Sequence, residues 1–197
     1  MEIVSQVMDL YTQIDKAVAE FQLQCGLRCP AGCGACCPTA NVETTILEMM
    51  PLAQEIFCRG EAEAWLQKLK SPIEAGKCLL YITDPEQTAT GCCSFYRWRP
   101  SLCRLFGFAA VRNRNGGRSL SVCRHIRQND PKGAAAATVL ADQAPAFFQY
   151  SVLVYNLHPV LGNILLPINT ALHQAIERIG LHSSFAYGET LGVNSAA

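Results

Sequence analysis

Net charge is the first thing this sequence lacks: 16 Lys+Arg offset 16 Asp+Glu over 197 residues, so overall charge gives no reason to expect nucleic acid or an anionic membrane as partner. It also has no glycine-rich phosphate loop, no His-Glu-x-x-His, no Gly-x-Ser-x-Gly and no Gly-x-Gly-x-x-Gly. The enzyme classes that announce themselves by those motifs are therefore not indicated, and whether the chain is an enzyme stays open. The first 21 residues have no basic segment leading into an unbroken apolar run and carry Glu2, Asp9, Asp15, Lys16 and Glu20. We read them as mature protein rather than a secretory leader, and the protein as cytoplasmic. A 34-residue stretch, 143–176, has no Asp, Glu, Lys or Arg, but Gln149, Asn156, His158, Pro159, Asn163 and Pro167 interrupt it. A single span needs about 20 predominantly apolar residues. Two buried or partner-facing helices, 145–157 and 160–179, are preferred, the second capped by Gly180; association with a bilayer surface is the less favoured alternative. There is no internal repeat and no low-complexity linker.

Globular composition is present, with 50% apolar and 16% charged residues. So are 11 cysteines, the feature that needs a chemical reason. In a reducing compartment disulfides are disfavoured, and the count is odd, so ligation of a metal or cluster is the expected use. The fold expected around them is mainly α with a small β-hairpin (α+β): an irregular cysteine-rich core packed by amphipathic helices. Val4, Val7, Met8, Tyr11, Ile14, Val18 and Phe21 make one stripe of a helix over 2–24. The segment 25–40 carries Gly26, Pro30, Gly32, Gly34 and Pro38 and reads as a tight loop. Between 43 and 70 the pattern is helical, interrupted at Pro51 and near Gly60. Residues 78–83 read as a short strand, and 106–112 with 118–125 as a hairpin around Asn-Gly-Gly. We expect a cysteine-cluster unit, 1–131, with a helical extension, 132–197, packed on it.

The strongest chemical signal is Cys29-Pro-Ala-Gly-Cys33-Gly-Ala-Cys36-Cys37. Thiolates suit soft and borderline metals, and closely spaced cysteines in a glycine-rich loop reach one ion from one stretch of chain. Cys36 and Cys37, being adjacent, point apart in most conformations, so they serve two sites or one stands behind the other. The second signal is Cys93-Ser-Phe-Tyr-Arg-Trp-Arg-Pro-Ser-Leu-Cys103-Arg, with Cys78 and Cys92 before it and Cys123 after. Residues 87–129 hold eight arginines and no acid, whereas 1–86 hold 12 acids and 6 bases. Fixed cations near buried thiolates lower the cost of a centre that is anionic overall, although most of the eight fit a solvated basic face better. Only Phe95, Tyr96, Trp98, Phe106 and Phe108 interleave them, so nucleic acid is an unfavoured partner.

Cys-Pro-Ala-Gly-Cys-Gly-Ala-Cys-Cys together with Cys-Ser-Phe-Tyr-Arg-Trp-Arg-Pro-Ser-Leu-Cys-Arg resembles the bacterial YkgJ-like cysteine-cluster family, a zinc- or iron-chelating CxxCxxCC domain. The resemblance spans about residues 25–127. It implies ligands among Cys29, Cys33, Cys36, Cys37, Cys78, Cys93, Cys103 and Cys123, with Tyr96, Arg99, Pro100 and Arg104 as accompanying motif residues, of which Tyr96, Arg99 and Arg104 are expected to contact the bound centre. The spacing from Cys29 to Cys33 is one residue longer than the family pattern, and Cys92 competes with Cys93 for the same role. Cys25 and Cys58 lie outside it; Cys58, in an apolar run, reads as a small buried hydrophobe. His125 is a candidate ligand, whereas His158, His173 and His182 read as packed or surface residues. The expected function is a metal-binding protein holding zinc or iron through a multi-cysteine site. The alternative is an iron–sulfur redox or assembly factor docking through 143–180. Zinc would take four ligands in a closed site, and four thiolates equally suit an iron–sulfur cluster.

Overall fold

The structure is a computed structural model describing residues 2–29, 33–37, 42–71, 77–83 and 91–192, with 182–192 described by backbone alone. Pro30, Gly32, Pro38 and the His182 side chain lie outside the described residues. The expected mainly α architecture is what is found. Its frame is three helices: α1 (Glu2–Cys25), α2 (Ile46–Cys58) and α8 (Ile168–Gly192). The predicted stripe of α1 is buried apart from half-buried Met8, and Leu10 joins it. Between α2 and α8 run α3 (Ala62–Lys70), the short helices α4 (Ser101–Leu105), α5 (Arg124–Asn129) and α6 (Pro131–Val139), and α7 (Phe147–Leu157). The main packing is α8 along α2, with α1 against α2, α4 and α7. One continuous apolar core draws on all of these, from Val7 and Ile14 through Leu52 and Ile56 to Leu172 and Ile176.

Among the described residues three two-stranded antiparallel pairs pin the loops. β1 (Glu43–Thr44) pairs with β6 (Leu166–Pro167), tying the start of α2 to the start of α8. β2 (Tyr81–Ile82) pairs with β3 (Cys92–Cys93). β4 (Ala110–Arg112) and β5 (Arg118–Leu120) form the expected hairpin, closed by an Asn113 N–H to Gly117 O bond of 2.8 Å with Gly116 at φ +81°.

Three sequence expectations are corrected. Pro51 does not interrupt α2 but sits buried inside it, where packing outweighs the one N–H it cannot donate. Residues 159–163 form a turn and 164–165 have no regular structure, so this stretch is not helix, and α8 starts at Ile168 and continues through Gly180. Gly180 is not a cap: a Cβ there would lie 3.1 Å from Phe57 Cζ, so the residue lets α8 approach α2 closely. Cys58 is exposed rather than buried, because it ends α2 one position beyond Phe57 and two beyond buried Ile56. Among the described residues no helix is long and apolar enough to cross a membrane.

Glu48 joins two helix starts. Thr45 and Glu48 form a capping box on α2, with Thr45 Oγ1 accepting from Glu48 N at 3.2 Å and Glu48 Oε2 accepting from Thr45 N at 3.3 Å. The same oxygen accepts from Thr44 Oγ1 and Thr45 Oγ1, at 3.1 and 2.9 Å. Oε1 accepts from Ser101 N at 3.0 Å, satisfying an orphan N–H at the start of α4. Tyr11 donates to the Glu48 carbonyl. Replacing Glu48 by Ala leaves several buried donors unpaired. Glu48→Ala is expected to lower unfolding free energy by about 3 kcal/mol, whereas Glu63→Ala, near the start of α3, changes it by under about 0.5 kcal/mol; urea denaturation of both variants checks this.

Candidate metal centre

Four stretches of chain supply the cysteines, and each is held by a different device. The 33–37 turn closes with a Cys37 N–H to Gly34 O bond of 2.8 Å. Gly34 lies so close to the strand side that a Cβ there would be 1.9 Å from Gly91 O and 3.0 Å from Cys92 Cα. Gly91 is equally confined, by Ile82 O at 2.1 Å and the Tyr81 ring at 2.8 Å. Two glycines thus allow the first cysteine loop to lie directly on β3. Cys78 is placed through Asn169 of α8, whose Oδ1 accepts from Leu79 N at 3.0 Å and whose Nδ2 donates to Lys77 O at 2.8 Å. Cys103 is carried on α4. The turn before α4 is fixed by Phe95, which stacks edge-on with Trp65 and Trp98 beneath the Arg59 guanidinium.

These devices bring Cys33, Cys36, Cys37, Cys78, Cys93 and Cys103 to one chamber of about 150 Å³, closed by Tyr96, Arg99, Pro100, Leu102 and Phe106. Of the doublet in β3, Cys93 lines the chamber and Cys92 does not, as alternation along a strand requires. Cys29 and Cys123 lie to one side: Cys29 hydrogen-bonds Cys33 and feels the charges of Cys33, Cys36 and Cys123. Cys25, at the end of α1, has its thiol 4.0 Å from Gln22 O. His125 bonds Asn129 at 3.0 Å and does not line the chamber.

Crowding and burial set the protonation of the thiols. Burial and its neighbours Cys33 and Cys36 push Cys29 up to about 12. The Cys37 thiol donates to Cys36, which lowers Cys36 to about 6 with help from Arg99 and raises Cys37. Burial raises Cys78, Cys93 and Cys103, and the Arg99 charge works against that rise at Cys93 and Cys103. Arg99 is well placed for this. Its guanidinium lies 3.8 Å from the Tyr96 ring centroid, and its Nε is buried with no hydrogen-bond partner.

Arg104 is placed differently from the expectation of contact with the centre. It is buried, pairs with Asp15, donates to Arg97 O and, at 2.8 Å, to Arg99 O, and stacks 4.3 Å from the Tyr11 ring. It does not line the chamber. Its role is to lash the 97–99 turn to α1.

The chemistry of this donor set suits zinc or iron, since both take thiolates and neither demands an oxygen cage. The sulfurs stand as free thiols, and among the described residues no three Cys, His, Asp or Glu side chains are already in ligating positions. What the fold supplies is a gathered set of soft donors beside the Arg99 guanidinium, which has no ion-pair partner among the described residues.

A helical scaffold that collects cysteines from separated segments around one chamber has the make-up of a thiol-based chelating domain. Residues 28–126, just over half of the chain, match the CxxCxxCC family model, described as a candidate zinc- or iron-chelating domain. The chain belongs to that family. No curated protein and no solved structure matches it.

Sequence reasoning read Gly34 as a loop former without its contact with Gly91, and missed Gly91, Asn169 and Glu48 as positioning residues. The Thr45-x-x-Glu48 spacing was a readable signal for a helix start; the contacts with Gly91, Ser101 and Lys77 cross tens of residues and have no local signature. Gly34→Ala is expected to force the first cysteine loop off β3. Metal affinity should fall by about tenfold or more and stability by about 1–3 kcal/mol, measured by competition with a chromogenic chelator and by thermal melting.

Proposed function

We propose that this protein chelates zinc or iron through thiolates of the chamber, with Cys36, Cys78, Cys93 and Cys103 as the principal ligands and Cys37 and Cys33 at its edge. The carrying observation is the convergence of six cysteines on one chamber of about 150 Å³. Cys29 and Cys123 do not line the chamber and stand outside this ligand set. Arg99, with its unpartnered Nε, offsets negative charge on the thiolates. Tyr96 holds Arg99 by stacking. Because the thiols are not in ligating positions, binding draws sulfur atoms together and is coupled to tightening of the loops.

One observation favours a polynuclear centre over a single ion: six thiols exceed the four that a closed zinc site uses. An iron–sulfur cluster would make the protein redox-capable, with 143–180 as its partner-facing part. Phe148, Val152, Tyr155, Val160, Ile164 and Leu165 of that part are exposed apolar residues.

The test is elemental and sulfide analysis of anaerobically purified protein, with an absorption spectrum. Iron with matching acid-labile sulfide and visible absorption supports the cluster, and colourless protein with stoichiometric zinc supports the chelated ion. Cys103→Ser is expected to lose most of its metal and Cys58→Ser to keep it. Protein free of both metals, or equal retention in the two variants, contradicts the proposal.

A further inference from the structure

A second cavity, about 680 Å³, lies beside the cysteine chamber and shares the Leu102 and Phe106 walls with it. That volume is in the range of small-molecule sites. It opens between α4, α7 and the 162–165 segment, and Phe106, Phe147, Tyr150 and Tyr155 put four aromatic rings on its lining. Its charged lining is of one sign. Glu43 is exposed and Glu48 is 6% exposed, and among the described residues no Lys, Arg or His lines the cavity.

Glu48 is the unusual member. Its carboxylate is satisfied by hydrogen bonds, but among the described residues it has no ion-pair partner. A buried carboxylate without a counter-charge is electrostatically expensive; hydrogen bonds and the two helix starts it caps offset that cost, and it still brings a full negative charge to this end of the cavity. Oε1 takes one donor, from Ser101 N, and retains capacity for another. An independent observation falls at the same place. Ser101, 6% exposed, lines the cavity, and its hydroxyl is buried with no hydrogen-bond partner. Native proteins seldom leave such a group unpaired unless something else satisfies it.

We propose that this cavity binds a small organic cation, an amine carried on an apolar body. The apolar part fills the space among the aromatic rings. The ammonium meets the Glu48 side of the cavity, with exposed Glu43 adding to the attraction. Aromatic faces add cation–π attraction. A carboxylate or phosphate of the same size meets like charge and no compensating cation.

The full chain is titrated with dansylcadaverine, which carries a terminal ammonium, and with dansylglycine, which carries a carboxylate on the same fluorophore. The ammonium probe is expected to saturate one site with blue-shifted emission and to bind at least about tenfold more tightly than the carboxylate probe. Ser151 is exposed on the cavity wall and donates only to Phe147 O at 3.1 Å, so Ser151→Trp plugs the space from outside the core. That variant should lose about tenfold or more in affinity for dansylcadaverine, with circular dichroism and metal content unchanged. Equal affinity for the two probes, absence of saturable dansylcadaverine binding, or undiminished affinity in folded Ser151→Trp overturns the proposal; the two-probe comparison needs no variant.

Discussion

A methyl group at position 34 would sit 1.9 Å from the Gly91 carbonyl oxygen, and this steric limit is what the cysteine chamber rests on. The first loop brings Cys33, Cys36 and Cys37; β3 brings Cys93; both reach one chamber because two backbones touch where neither has a side chain. Everything else supports that contact from behind. Asn169 holds the Cys78 stretch, the Trp65–Phe95–Trp98 cluster holds the turn before α4, and Glu48 holds the start of α4 itself.

Gathering these cysteines disfavours their thiolate forms. Burial and mutual proximity raise most of them, and only Cys36 is lowered, by the Cys37 thiol and Arg99. A bound metal would offset that cost by replacing protons with a shared cation, so in the proposed reading chelation and tightening of these loops belong to one process. Arg99 and Arg104, so similar in the motif, divide the work. Arg99 stands at the chamber with a free donor, and Arg104 secures the Arg99 backbone from the α1 side through Asp15 and Tyr11.

Much of this was legible in the residues. The stripe of α1, the Asn-Gly-Gly hairpin and the two cysteine motifs follow from local periodicity and spacing, and local rules recover them. What local rules misread depends on distant partners. Gly180 has the look of a helix end but is a contact point for Phe57. Pro51 has the look of a break but is carried by the packing of α2. Cys58 follows apolar residues yet falls on the outer side of the last turn. The choice between Cys92 and Cys93 needed the strand pairing to Tyr81 and Ile82, which fixes the face that meets the chamber. The amine-type cavity beside it has no sequence motif, because its carboxylate, its hydroxyl and its rings come from three helices and the residue that follows α4.

The central claim is that sulfur from distant segments surrounds a common inorganic centre, and X-ray absorption at the metal edge of the loaded full-length chain addresses it most directly. The account predicts a first shell dominated by sulfur at about 2.3 Å. A shell of nitrogen and oxygen at about 2.0–2.1 Å, with sulfur absent, would contradict it.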